Sequence, residues 1–205
     1  MPAKNHDLHG NVPDACPVAL LLIDVINDLE FENNQALVKQ SGRLATRIAA
    51  LKKRARAAGI PAIYVNDNFG RWQSDFRKQV DHCLNDGVCG RILVERLKPA
   101  PDDYFVLKPK HSGFFSTTLD TVLRYLGAHT LILNGIAGDR CVLFTANDAF
   151  LREFRVCVPS DCVLSNDRKE NQQALKLMKR VLKADIRPSH KLNLAALKKR
   201  PKEKR

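Results

Sequence analysis

Short apolar runs bounded by turn residues alternate along the chain with stretches in which apolar residues return every three or four positions. The first pattern suits buried strands and the second amphipathic helices, so their alternation predicts an α/β domain with a parallel sheet. Val18 to Val25 is the first strand. From Asn34 to Ala58, Leu37, Leu44, Ile48 and Leu51 recur at helical spacing until Gly59 stops the helix. Ile60 to Asn66 reads as a second strand, followed by a loop from Asp67 to Ser74, a helix over Asp75 to Asn85 and a shorter one over Ile92 to Leu97. Tyr104 to Lys108 is the third strand, Thr117 to Leu126 a helix, and His129 to Ile136 a strongly apolar fourth strand. Cys141 to Phe154 returns to helix, with Val142, Ala146, Ala149 and Phe150 towards the sheet. Arg155 to Val163 gives a fifth strand, Asp167 to Lys183 the last long helix, and Ala184 to Ile186 a short final strand. Right-handed crossovers place helices on both faces of such a sheet, so a three-layer α/β/α architecture with a mostly parallel six-stranded sheet is expected.

A chain of 205 residues, 44% of them hydrophobic, can bury one good core, and nothing in the composition marks a second domain. The expected division is an N-terminal extension over 1–16, one domain over 17–190 and a basic tail over 191–205. The longest apolar run, Val18 to Ile23, is far too short to span a bilayer. Residues Met1 to Pro17 lack the apolar core of a secretory signal, which makes the cytoplasm the default location and excludes a membrane role. The six cysteines, at 16, 83, 89, 141, 157 and 162, form no Cys-x-x-Cys pair and no zinc-like set, so reduced thiols are expected. Cys157 and Cys162 read as small hydrophobes.

The net charge of +12 raises the question of an anionic partner. Residues 198–205 alone hold six positive and one negative side chain in a segment that looks disordered, which accounts for +5 of it. The remainder is spread over helix faces without interleaved aromatics, which argues for a solvated surface and against nucleic acid.

Three polar groups interrupt this apolar scheme at strand ends: Asp24 after the first strand, Lys108 at the end of the third, and Cys141 just past the fourth. In open α/β sheets ligands collect outside the carboxyl ends of the strands, so the fold itself would bring the three together. A cysteine at a helix start meets free amide groups and the positive end of the helix dipole, and both favour thiolate over thiol, as would a nearby ammonium. The same amides can receive an oxyanion. Each residue also has a plainer reading: Asp24 as a turn cap, Lys108 as a solvated lysine, Cys141 as a packing thiol. Periodicity alone leaves the choice open.

Four segments in order resemble the isochorismatase-like cysteine hydrolase superfamily, which includes nicotinamidases and carbamoylsarcosine amidohydrolases. They are Leu20-Leu-Leu-Ile-Asp24-Val-Ile-Asn-Asp28; Leu107-Lys108-Pro-Lys-His-Ser112-Gly-Phe-Phe115-Ser-Thr117-Thr-Leu119; Gly135-Ile-Ala-Gly-Asp-Arg-Cys141-Val with Thr145-Ala-Asn-Asp-Ala149; and Val156 to Asp161. The resemblance covers about residues 17 to 187 and implies a Rossmann-like sheet. It also implies that Asp24 is the general base, Cys141 the nucleophile and Lys108 the cation supporting the thiolate. Lys108 is preferred to Lys110 because the family lysine lies four residues before the serine of a Ser-x-Phe motif. A cis peptide bond between Ile136 and Ala137 is implied too, aiming the amides of Ala137 and Cys141 at an oxyanion, and homo-oligomers are usual.

The chain departs from the family in informative places. Nicotinamidases carry an Asp-x-His metal motif with a further histidine, whereas Asn66-Asp67-Asn68-Phe69-Gly-Arg-Trp72 has no histidine, and Asp67 alone would hold zinc poorly. No metal or other cofactor is expected. His111 and His129 read as a loop residue and a strand-start surface residue. Ile26 and Leu29 stand where the resemblance leads one to expect glutamine and phenylalanine. Phe69, Trp72, Phe114 and Phe115 are candidates to line an apolar pocket, Trp72 first among them. The resulting expectation is a metal-independent hydrolase of a small amide-, ureide- or carbamoyl-type C–N bond, working through a thioester. Two alternatives stay open: a vinyl-ether hydrolase using Asp24 as acid, and a catalytically silent binding protein with a basic surface.

Overall fold

All six residues of Val18–Ile23 (β1) are buried, with Val18, Leu20 and Leu22 packing in one hydrophobic cluster and Ala19, Leu21 and Ile23 in another. That two-sided burial marks a central strand covered on both faces. The computed structural model describes residues 15–69 and 75–199. β1 lies between Ala62–Asp67 (β2) and Thr130–Ile136 (β4), with Tyr104–Lys108 (β3) beyond β2. The far side of β4 is shared: Arg155–Cys157 (β5) pairs with its first half and Val163–Leu164 (β6) with its second. These pairings are all parallel.

One face of the sheet is covered by Gln35–Ala57 (α1), through Leu37, Leu44, Ile48 and Leu51, together with Phe76–Asn85 (α2) and Arg91–Arg96 (α3). The other is covered by Leu119–Leu126 (α4), Cys141–Leu151 (α5) and Arg168–Val181 (α6). In α5, Val142, Ala146 and Ala149 are buried as their spacing predicts. Phe150 is instead 40% exposed, because one step past Ala149 rotates it off that stripe.

Six strands form, but the fifth and sixth are not those expected. The run Arg155 to Val163 breaks at Pro159, which has no N–H to give a ladder and accepts a turn hydrogen bond from Cys162 N at 2.9 Å. The stretch 184–186 makes only a single parallel bridge, Asp185 beside Cys157. Core packing also runs past residue 190, where the sequence suggested a tail. Leu192, Leu194 and Leu197 are buried against the α1 side, the last two in the short helix Leu194–Leu197 (α7). Arg54 holds this segment by donating to Ser189 O at 2.8 Å and Leu192 O at 2.7 Å. At the other end Cys16 is buried, its amide bonded to Leu126 O at 2.7 Å. No helix among the described residues is long and apolar enough to cross a membrane.

Candidate active site

The carboxyl ends of β1, β3 and β4 meet on one edge of the sheet. Asp24 follows β1 directly with φ of 50°, a left-handed conformation that aspartate tolerates better than most residues, and its amide still bonds Val65 O at 3.0 Å. Lys108 is the last residue of β3, beside Asp67 of β2. β4 ends in Gly135 and Ile136, and the bond from Ile136 to Ala137 is cis. Gly135 is required as glycine: its φ is 121°, and a Cβ there would lie 2.0 Å from Ile23 O. After the turn, Cys141 opens α5.

Lys108 Nζ stands 2.8 Å from Asp24 Oδ2, 3.4 Å from Asp67 Oδ2 and 3.4 Å from Cys141 Sγ. Its side chain is fully buried, so the ammonium depends on these partners. Burial acts to lower the lysine pKa, but the attraction of Asp24, Cys141 and Asp67 outweighs it and the net direction is up. Asp24 is also shifted up, by burial first, against the opposing pull of Lys108, the Cys141 thiol and the Asp67 amide, which donates to Oδ1 at 2.7 Å. The Cys141 thiol is pushed up to about 12, by burial and then by the negative charge of Asp24, with Lys108 only partly offsetting them. This reverses the direction expected from the helix terminus and the lysine. Both shifts keep a proton in place near neutrality, on the Lys108 ammonium and on the Cys141 thiol.

The isochorismatase domain model matches residues 18–186. This chain belongs to the isochorismatase family. It is 42% identical over 168 residues to the uncharacterized isochorismatase family protein YaaI of Bacillus subtilis, covering 82% of this chain and 92% of that one. It is 32% identical over 147 residues to the ureidoacrylate amidohydrolase RutB of Methylorubrum extorquens, covering 60% of this chain and 58% of the enzyme. Among solved structures, the N-carbamoylsarcosine amidase of Thermoplasma acidophilum superposes with a TM-score of 0.65 at 27% identity, over 86% of this chain and 98% of the amidase. The protein is therefore an isochorismatase-family hydrolase with amidohydrolases among its neighbours.

In this family member Asp24, Asp67, Ile136, Ala137 and Cys141 border one cleft of about 330 Å³. Of the four aromatic residues expected around it, Phe69 lines the cleft and is 46% exposed. Phe114 does not: it is buried in the α4–α5 cluster, against Phe154 and beneath the Arg152 guanidinium. Phe115, next to it in the chain, is exposed and does not line the cleft. Trp72 lies outside the described residues. Ile26 and Leu29 are wholly buried core residues, so the positions of the expected glutamine and phenylalanine give the cleft no side chain.

Phe31, Asn27, Arg140 and Glu170 line the cleft without having been anticipated. So does His111, whose Nδ1 is 3.8 Å from Cys141 Sγ and whose ring leans on Phe144 at 5.5 Å between centroids. The one signal for His111 was its place between Lys108 and Ser112. The other four sit on loops or helix starts, which hydropathy does not aim.

The residues do not fit a resident metal ion of the kind nicotinamidases hold. Asp67 presents one oxygen to Lys108 Nζ and the other to Phe69 N at 2.6 Å, so a cation would meet an ammonium and a donor already in place. Among the described residues no three His, Cys, Asp or Glu are grouped to hold a metal, and residues 70–74 contain none of these types.

Proposed function

We propose that this protein is a metal-independent cysteine hydrolase that cleaves a small amide-, ureide- or carbamoyl-type C–N bond through a thioester on Cys141. The observation that carries this reading is the contact of three strand-end groups at one cleft, with Lys108 Nζ 2.8 Å from Asp24 and 3.4 Å from Cys141 Sγ. The names of two relatives, an ureidoacrylate amidohydrolase and an N-carbamoylsarcosine amidase, support the substrate class.

Because the thiol is protonated at rest, Asp24 must make the nucleophile when substrate is present. Its carboxylate, raised by burial and hydrogen-bonded to the thiol, takes the Sγ proton as sulfur bonds to the carbonyl carbon. The amides of Ala137 and Cys141 receive the oxyanion, a contribution of ~10²–10³ in rate for each such donor. Asp24 then passes its proton to the leaving nitrogen and the C–N bond breaks. In the second half Asp24 deprotonates water, hydroxide adds to the thioester, and the departing sulfur recovers the proton. Lys108 stays charged throughout and holds Asp24 in place.

The test is a screen of small amides, ureides and carbamoyl compounds for ammonia release, with Cys141→Ala as the blank and intact-mass detection of the acyl adduct. Turnover with an adduct on Cys141 is expected. Unchanged turnover in Cys141→Ala would exclude the thioester route, and full activity in Cys141→Ser would shift the chemistry to Asp24 acting as an acid.

A further inference from the structure

The loop between the cis bond and Cys141 is fastened from the side, residue by residue, by the segment joining β6 to α6. β6 pairs with β4 up to the bend, Gly135 beside Val163 and Ile136 beside Leu164. Past the bend the pairing continues in another form: Gly138 N donates to Leu164 O at 3.0 Å and Asp139 N to Ser165 Oγ at 3.1 Å. The Ser165 hydroxyl in turn donates to Asn171 Oδ1 at 3.0 Å. Ser165 is 1% exposed and Asn171 9%. Asn171 also fills the space a side chain at Gly138 would need, since a Cβ there would lie 2.2 Å from its Oδ1. The first turn of α6 is fixed by Asp167, whose carboxylate accepts from Lys169 N and Glu170 N.

We infer that Ser165 and Asn171 are positioning residues of the active site, a buried latch that holds the loop carrying the oxyanion-binding amides. This rests on the proposed hydrolase reading. Neither residue lines the cleft, so neither meets substrate. Removing the Ser165 hydroxyl leaves the part-buried Asp139 amide without its acceptor and frees Asn171 from its donor, so the loop gains room to shift. Such a shift moves donors that matter only once the oxyanion forms. It slows the chemical step and leaves ground-state binding unchanged. A residue needed only for folding would instead change stability without separating kcat from KM.

The test compares Ser165→Ala with Ser165→Thr, which keeps the hydroxyl, and with Asn171→Leu, which keeps the bulk but removes the acceptor. On a substrate found by ammonia release, Ser165→Ala and Asn171→Leu are expected to lose roughly tenfold in kcat, less than the ~10²–10³ for a donor removed outright, with KM held within about twofold. Ser165→Thr should recover most of the loss. A second readout needs no substrate. Propionaldehyde adds the Cys141 thiol across its carbonyl, the S–H proton passing to oxygen as the S–C bond forms, and so mimics the tetrahedral state. Its protection of Cys141 from iodoacetamide is read by peptide mass spectrometry. Half-protection should need about tenfold more aldehyde in Ser165→Ala, while alkylation without aldehyde stays within about twofold. Equal protection and equal kcat in Ser165→Ala, or a Ser165→Thr protein as impaired as Ser165→Ala, would overturn the latch alone. Turnover surviving in Cys141→Ala, or no aldehyde protection in the unsubstituted protein, would overturn the hydrolase reading and the latch with it.

Discussion

Cys141 at the start of α5 and Cys157 at the end of β5 have thiols held at the same level, both pushed up to about 12. For both the first cause is burial and the second a neighbouring carboxylate, Asp24 for one and Asp185 for the other. Yet Cys157 is completely enclosed in the core, while Cys141 is half-buried, borders a cleft and has Asp24 and Lys108 against its sulfur. The difference shows that acidity is not what sets the candidate nucleophile apart. Reactive cysteines are commonly marked by a lowered pKa. Here the marks are access to a cleft and a carboxyl group in contact.

The comparison breaks most visibly at the two sulfurs themselves. Cys141→Ala should cost on the order of 10⁴-fold or more in turnover, the scale for a lost nucleophile. Cys157→Ala should leave kcat within about twofold and show mainly as a stability loss of about 1 kcal/mol in denaturant titration. Comparable losses of turnover at both positions would mean that the cleft does not define the site.

A smaller effect separates the base from the thiol. Asp24→Asn keeps the shape but removes the proton acceptor, and kcat should fall by ~10²–10⁴ as measured by initial rates. An unchanged kcat would exclude Asp24 from all three proton transfers, at the thiol, the leaving nitrogen and the water. Asp24→Asn also removes the negative charge 2.8 Å from the buried Lys108 ammonium, leaving only Asp67 at 3.4 Å to balance it, so a drop of up to about 3–5 kcal/mol in stability accompanies it.

The pH dependence of labelling sharpens the contrast further. With the thiol at about 12, alkylation of Cys141 by iodoacetamide should climb close to tenfold per pH unit from 7 to 10 without a plateau, followed by peptide mass spectrometry. A plateau near neutrality would show a thiolate already formed. Cys157 should stay unlabelled over the same range while the protein is folded.

The last effect is on stability at alkaline pH. Cys83, Cys141, Cys157 and Cys162 all have folded-state pKa values raised from 9.0 to about 12. The folded protein therefore holds these protons more tightly than the unfolded chain, so their contribution is complete below pH 9 and is lost as pH rises towards 12. The thermal midpoint should decline above pH 9, and less steeply in Cys157→Ala. A midpoint that holds to pH 11 would contradict the burial argument.

Much of this architecture is legible in the chain because strands covered on both faces must be continuously apolar. Val18–Ile23 and Thr130–Ile136 say so directly, and the Leu37, Leu44, Ile48, Leu51 stripe names the buried side of α1. The break at Pro159 and the core role of Leu192, Leu194 and Leu197 were harder to read, since a short run of leucines amid basic residues has no period of its own. Around the cleft, Phe69 was found but Phe114 and Phe115 were not separated from it. Adjacent aromatic residues have the same hydropathy, and here one is buried and the other exposed.

Asp24, Lys108 and Cys141 can be placed at strand ends from the order of residues alone, because they interrupt apolar runs where a parallel sheet gathers its ligands. Their protonation depends on the fold. Whether a thiol at a helix start is thiolate or thiol depends on how much water the fold removes and which charge it brings within contact. Those are sums over residues distant in sequence. Burial by the whole domain and the carboxylate of Asp24 kept the proton on Cys141, against what its local position favoured.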